Sequence, residues 1–266
     1  MKNIFLSLIA VSGLLFTACE TTERELENSF DPDNITLEVI QATEGSNVVT
    51  LKMSTDGVMG EWSYGFGSKV TDEVNVVYPY TGTFECTYTV YNQYIESDGS
   101  VTTGITKSVE VTVSDIVEAA APEYEYLVGE ELVSKSWEFA GSPGDGSSFC
   151  YMASKTNWEE MWWNWGNSVE FYDVYGYITF DLQGGMNLTY HDSASAAGVT
   201  GSFSFNSSFT TFYTSGDAMI LGASTNYGEL ITTFEIIELT SDSFILYVSE
   251  TPKGDSGWVW KFVPKE

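Results

Sequence analysis

Two short segments of the C-terminal half restrict the fold most. Residues 132–139, LVSKSWEF, and residues 257–264, GWVWKFVP, carry large aromatic side chains at every second position. Trp137 and Phe139 share one face of an extended chain, and Trp258, Trp260 and Phe262 share one face of the other. Aromatic residues at period two in the first and last strands of a region predict that those strands pair and close a barrel or sandwich over them. Nearly every other run in the chain is strand-like as well. Short Val/Thr/Tyr/Phe stretches such as NVVTLKMS, TFECTYTVYN, KSVEVTVSD, YGYITFDL and SFILYVSE alternate with clusters of Gly, Asp, Asn and Ser. Long helical patterns do not occur in the sequence, so the fold class expected is all-β with one short helix.

One break in composition divides the chain. DIVEAAAPEYEYLVGEE, residues 115–131, ends one series of strands and precedes another. The expected organisation is a leader at 1–18, an acidic tether at 19–34, a first β domain at 35–115, a linker at 116–131 and a second β domain at 132–266. The leader has a positive Lys2, an apolar run from Ile4 to Phe16 and a Leu-Phe-Thr-Ala-Cys end. That run is too short to span a bilayer and has the flanks of a signal peptide. Its end resembles the lipobox of bacterial lipoproteins, which implies cleavage before Cys19 and lipid on that residue. Without residues 1–18 the chain keeps nine Lys+Arg against 38 Asp+Glu, a net charge of −29. Such a charge repels nucleic acid and anionic headgroups, so the membrane is expected to be met only through the lipid. The acidic residues after Cys19 resemble the surface-export signal of Bacteroidota lipoproteins, implying an outer-membrane anchor facing the exterior.

The first β domain resembles a PKD-type immunoglobulin-like sandwich. GEWSYGFGS (60–68) is similar to that family's Trp-x-Phe-Gly-x-Gly strand and turn, interrupted here by Tyr64 and Gly65. YPYTGTFECTYTVYN (78–92) is similar to its Tyr-x-x-x-Gly-Thr-Tyr-x-Val strand. Such domains serve as spacers, and Trp62 and Phe66 are expected in the core. ELITTFEIIELTSDSFILYV followed by GWVWKF resembles the lipocalin-like domains of Bacteroidota lipoproteins, implying a β-barrel or β-sandwich at the C-terminus. Cys86 lies in phase with Phe84, Tyr88 and Val90, and Cys150 falls in the other domain, so two buried free thiols are expected.

Residues 158–166, WEEMWWNWG, hold four of the eight tryptophans. With Thr156 and Glu159 as a capping box and Gly166 as a stop, KTNWEEMWWNWG reads as one helix. On it Trp158, Met161, Trp162 and Trp165 form one apolar stripe, either a plug on the barrel end or a platform for a ligand. Trp163 falls off the stripe beside Glu160 and Asn164. Half-exposed, it would forgo roughly 2–3 kcal/mol of burial, which favours a ligand-binding role. A sugar ring offers an indole its C–H face while Asn and Glu take its hydroxyls. Two or three such rings give about −4 to −5 kcal/mol, near-millimolar binding, which multivalency on a repeating polymer raises.

Lipobox, acidic tether, PKD-like spacer and aromatic-bearing β domain together resemble the surface glycan-binding lipoproteins of Bacteroidota polysaccharide-utilisation systems. That resemblance implies capture of a polysaccharide for a partner outer-membrane glycan transporter, and the scarcity of basic residues points to a neutral glucan. The candidate glycan-binding residues are Trp163, Trp158, Trp162, Trp165, Asn164 and Glu160. Alternatives are a small-molecule carrier, a structural or adhesive surface protein, and a glycoside hydrolase. Hydrolysis needs two carboxylates across the scissile bond, and Glu159 and Glu160 as helix neighbours would not face one another. No catalytic residue, cofactor or metal is expected, since the sequence has a single histidine and lacks EF-hand spacing.

Overall fold

The computed structural model describes residues 30–168, 172–223, 230–252, 254 and 256–266; the leader, Cys19 and residues 20–29 lie outside them. The chain forms two all-β units. The first contains β1 (Leu37–Gln41), β2 (Val48–Met53), β3 (Gly60–Ser63), β4 (Ser68–Val70), β5 (Glu73–Val77), β6 (Gly82–Val90), the short hairpin β7 (Tyr94–Ile95) and β8 (Val101–Thr102), and β9 (Thr106–Val113). Sheets β1-β2-β5 and β4-β3-β6-β9 are antiparallel throughout and form an immunoglobulin-like sandwich. Alternation along β2 and β6 puts Val49, Leu51, Met53, Cys86, Tyr88 and Val90 into the core between the sheets. Trp62 is buried edge-on to Tyr88, with centroids 5.2 Å apart.

Two expectations for this unit need correction. Phe66 is 45% exposed. Gly65, at φ +88°, turns the chain out of β3, and the Tyr64 amide donates to the Gly67 carbonyl. Phe66 therefore sits edge-on to Tyr78, Tyr80 and Phe84 at the margin of the sandwich instead of between its sheets. The expected tether also ends early. Phe30 is buried in the sandwich core, and Asp31 caps a 3-10 turn over Pro32–Asn34.

Residues 116–131 are more than a linker. Helix α1 (Pro122–Val128) starts at a proline, whose missing N–H costs nothing there, and buries Tyr124, Leu127 and Val128. Their i, i+3, i+4 spacing makes a stripe that packs into the second core. The Trp137 indole N–H donates to the Leu127 carbonyl at 2.8 Å and fixes the helix on the barrel.

The second unit comprises β10 (Ser134–Phe139), β11 (Cys150–Ala153), β12 (Met161–Trp163), α2 (Trp165–Ser168), β13 (Tyr177–Asp181), β14 (Asn187–His191), β15 (Val199–Phe205), β16 (Thr211–Gly216), β17 (Thr233–Leu239), β18 (Phe244–Val248) and β19 (Gly257–Pro264). β10 and β13 to β19 form a closed eight-stranded antiparallel barrel with up-and-down order, the lipocalin-like architecture expected. The first and last strands close it, with Phe139 opposite Phe262 and Trp137 opposite Pro264. The interior is filled. The rings of Phe180, Phe203, Phe212, Phe244 and Phe262 meet across it at centroid separations of 5.2–6.1 Å. Among the described residues no helix is long and apolar enough to cross a membrane.

β19 is longer than its closing partner. β10 pairs with its C-terminal half and β11 with its N-terminal half, so residues 140–149 leave the wall as a loop between two strands on the same edge. β12 then adds to β11 as the last strand of the order, outside the closed barrel.

The two units meet at one end of the barrel. The Thr81 amide donates to the Leu182 carbonyl at 3.1 Å, and the Gly184 amide to Thr81 Oγ1 at 2.7 Å, both in the β13–β14 turn. Asn47, fully buried, ties the exit of the sandwich by donating to the Tyr78 and Glu118 carbonyls and accepting from the Val117 amide. The loops after β11, β14, β16 and β18 emerge at the opposite end, so the 154–160 turn that leads into β12 lies at the end of the barrel distal to the sandwich.

Candidate functional site

The expected single helix does not form over residues 156–166. The Asn157 side chain accepts from the Glu159 amide, and the Glu160 amide donates to the Asn157 carbonyl, which closes a turn instead of capping a helix. Met161–Trp163 then extends as β12 against β11, and only Trp165–Ser168 is helical. Adjacent bulky aromatics suit a pleated edge better than a helix, where they lose χ1 freedom. The proposed stripe is therefore dissolved and its members separate into three environments.

Trp158 lies half-buried on the outer wall of the barrel. It packs on a small cluster of Tyr151, Ala153, Ile245, Tyr247 and Val259, and its carbonyl accepts from the Tyr151 hydroxyl at 3.1 Å. The Lys261 ammonium stands 5.2 Å from the Tyr151 ring and 5.9 Å from the Trp158 ring. Burial, with the Glu159 charge adding to it, pushes the Tyr151 phenol up to about 12. Trp165 packs inward, edge-on to Trp258 at 5.3 Å, against the main core. Gly166 permits this, since a Cβ there would sit 2.7 Å from the Phe149 ring. Both residues stabilise the fold.

Trp162 and Trp163 are different. They are 52% and 43% exposed, beside Met161 at 45%. Trp163 stands opposite Met152 and Met161 opposite Ala153, which leaves Trp162 as the extra residue of a bulge. Bulges twist and re-aim an edge strand, and they recur beside binding sites. The Trp162 indole N–H donates to Glu160 Oε1 at 3.2 Å, so this carboxylate orients a ring at the surface. Asn164 is committed elsewhere. Its Nδ2 donates to the Ser147 carbonyl at 2.9 Å and to Ser148 Oγ at 3.2 Å, and the Gly146 amide donates to Asn167 Oδ1 at 2.8 Å. Those bonds fix the 140–149 loop beside the tryptophans, and Asp145 stiffens it by accepting from the Ser142 and Ser147 amides. The Ser147 hydroxyl, followed by the Ser147 and Ser142 amides, holds the Asp145 carboxyl below the usual range.

Two aromatic residues on the same distal end carried no signal in the sequence reading. Tyr172 is 77% exposed and Tyr175 59%. They lie in a turn between α2 and β13 that lacks strand or helix periodicity; the only local sign is a Tyr-rich run, YDVYGY, before a strand. The Tyr172 hydroxyl donates to Asp192, in the Asp192-Ser193-Ala194 turn.

Among the described residues no three His, Cys, Asp or Glu side chains are grouped to hold a metal ion. Cys86 and Cys150 are buried and free, and burial pushes both thiols up, so neither is a ready nucleophile. A cavity of about 420 Å³ on the outer wall is lined by Thr211, Thr233, Glu235, Tyr247 and Glu250. It lacks an exposed aromatic face, since Tyr247 is buried with its hydroxyl on the Ser154 carbonyl. Comparison with protein-family models gives no match, and no curated protein matches the chain.

Proposed function

We propose that this protein is a surface glycan-binding lipoprotein that captures a neutral glucan, without catalysis, through the exposed indoles of Trp162 and Trp163. The observation that carries the reading is the pair of adjacent half-exposed tryptophans on an edge strand, in a chain whose other tryptophans are buried or packed. Such rings match the C–H face of a pyranose, and Glu160 is beside them for hydroxyls. Trp158, Trp165 and Asn164 support this surface from below and do not themselves meet the sugar. The distal position of β12, opposite the sandwich, suits a binder held from its N-terminal side. Cys19 is the proposed lipid attachment, the outer membrane its location, and a glycan transporter its partner. The aromatic-filled interior counts against a carrier of apolar molecules.

The test is affinity electrophoresis of the full chain in gels containing soluble β-1,3-glucan, mixed-linkage β-glucan, dextran or starch, beside Trp162→Ala and Trp163→Ala. Retardation by one glucan that weakens in each variant supports the reading. Absence of retardation in every gel overturns it in favour of a structural or adhesive role.

A further inference from the structure

We propose that the distal end carries a second sugar subsite, built by Tyr175, Glu138 and Ser142, which takes one pyranose unit of the same neutral glucan chain. The inference rests on the glycan-binding reading of Trp162 and Trp163 and extends it to a region that reading does not use.

Three observations converge there. A cavity of about 150 Å³ is lined by Glu138, Phe139, Gly141, Ser142 and Tyr175. Taking a water as about 30 Å³, it has room for about five, a modest pocket that one ring enters edgewise or by one face. One wall, Tyr175, is an exposed ring, while the Phe139 ring beside it is turned into the barrel core against Phe149 and Phe262. The Glu138 carboxylate, the Ser142 hydroxyl and the Tyr175 hydroxyl make no side-chain hydrogen bond or ion pair among the described residues, so acceptors and donors are available beside the one exposed ring. That combination is how pockets fix small polar ligands.

Tyr175 is also held in place. Its neighbour Val174 is in the core, and Asp173, buried, accepts from the Tyr190 hydroxyl and from the Gly222 amide, both at 3.0 Å. The Gly176 amide returns to the Asp173 carbonyl at 2.9 Å, and a Cβ on Gly176 would lie 2.3 Å from the His191 carbonyl oxygen. A turn anchored on both sides presents the ring already ordered, which lowers the entropy cost of stacking a ligand on it. The opposite wall, Gly141 and Ser142, begins the loop that Asn164 and Asn167 hold from the tryptophan side. One stiffened loop thus joins the two aromatic surfaces, and a chain lying along it meets both.

Calorimetric titration of the full chain with laminari-, cello- and malto-oligosaccharides of two to eight units tests this, for wild type, Tyr175→Ala, Glu138→Gln and Trp163→Ala. The expected result is that affinity rises with chain length in wild type. Tyr175→Ala should lose about fivefold to tenfold for the longest binding oligosaccharide and little for the shortest, with Glu138→Gln giving a smaller loss of the same length dependence. Trp163→Ala should weaken every length. If Tyr175→Ala and Glu138→Gln bind all lengths as wild type does while Trp163→Ala is impaired, the second subsite is wrong and the first stands. If wild type binds none of the three series, both are overturned.

Discussion

Replacing Trp163 by alanine separates a binding surface from a piece of core, because the two roles predict different magnitudes. An exposed Trp presents up to about 250 Å², so at 43% exposure about 110 Å² faces water. A sugar covering half of that, at ~25 cal/mol per Å², contributes about 1.4 kcal/mol, or about tenfold in Kd. Trp162, at 52% exposure, contributes slightly more by the same reasoning. Each single variant should therefore weaken glucan retardation about tenfold, and the double variant should abolish measurable binding from a near-millimolar start. The stability cost should be small, about 1 kcal/mol, since both side chains lie on an edge strand outside the closed barrel. Trp258→Ala, at 4% exposure, provides the contrast at about 3–5 kcal/mol. Urea denaturation followed by fluorescence or circular dichroism, run beside affinity electrophoresis, reads both quantities. A loss of stability in Trp163→Ala approaching that of Trp258→Ala would place the ring in the core and refute the reasoning. So would unchanged retardation by a glucan that wild type binds.

Other outcomes follow from the same contacts. Burial raises the Asp173 carboxyl above its ordinary range, so the stability it contributes is fully present below that range and is lost as pH rises through the raised value. Asp173→Asn should remove this dependence while keeping an acceptor for Tyr190 and Gly222, which difference stability curves from pH 3 to 8 would show; an unchanged pH profile would refute it. Gly176→Ala forces a Cβ against the His191 carbonyl and should cost about 1–3 kcal/mol in urea denaturation. Trp137→Phe deletes the bond to the Leu127 carbonyl and should cost about 1–3 kcal/mol, with faster hydrogen exchange in residues 124–128. Cys86 and Cys150 should resist a thiol reagent in the native protein and react once it is denatured.

The candidate site was only partly legible. Trp162 and Trp163 drew notice by their density alone, and the sequence reading placed Trp163 off the buried face. It put Trp162 on that face because i, i+3, i+4 spacing over 158–165 is also what a helix would show. Asn157 closing a turn and β11 offering a free edge decided otherwise, and neither is a property of the WEEMWWNWG segment itself. Tyr175 had no periodicity to mark it. Its exposure follows from Asp173 reaching Gly222, a contact 49 residues away in sequence.

Large aromatics at every second position in 134–139 and 257–264 were enough, by themselves, to determine that these strands turn those rings inward and close on one another. Period two is a property of the extended backbone, and the cost of exposing Trp137, Trp260 and Phe262 leaves few ways to satisfy it. The same reasoning from phase buried Cys86. Tertiary structure alone decided what happens where a segment's own pattern is compatible with two conformations. Residues 122–128 became a helix because the barrel end offered an apolar seat and the Leu127 carbonyl a donor from Trp137. Met161–Trp163 became a strand because β19 outruns β10 and leaves β11 an edge to fill. Local pattern fixes which faces must be buried; the partners that bury them, and the rings left over for a ligand, come from chain segments far away in sequence.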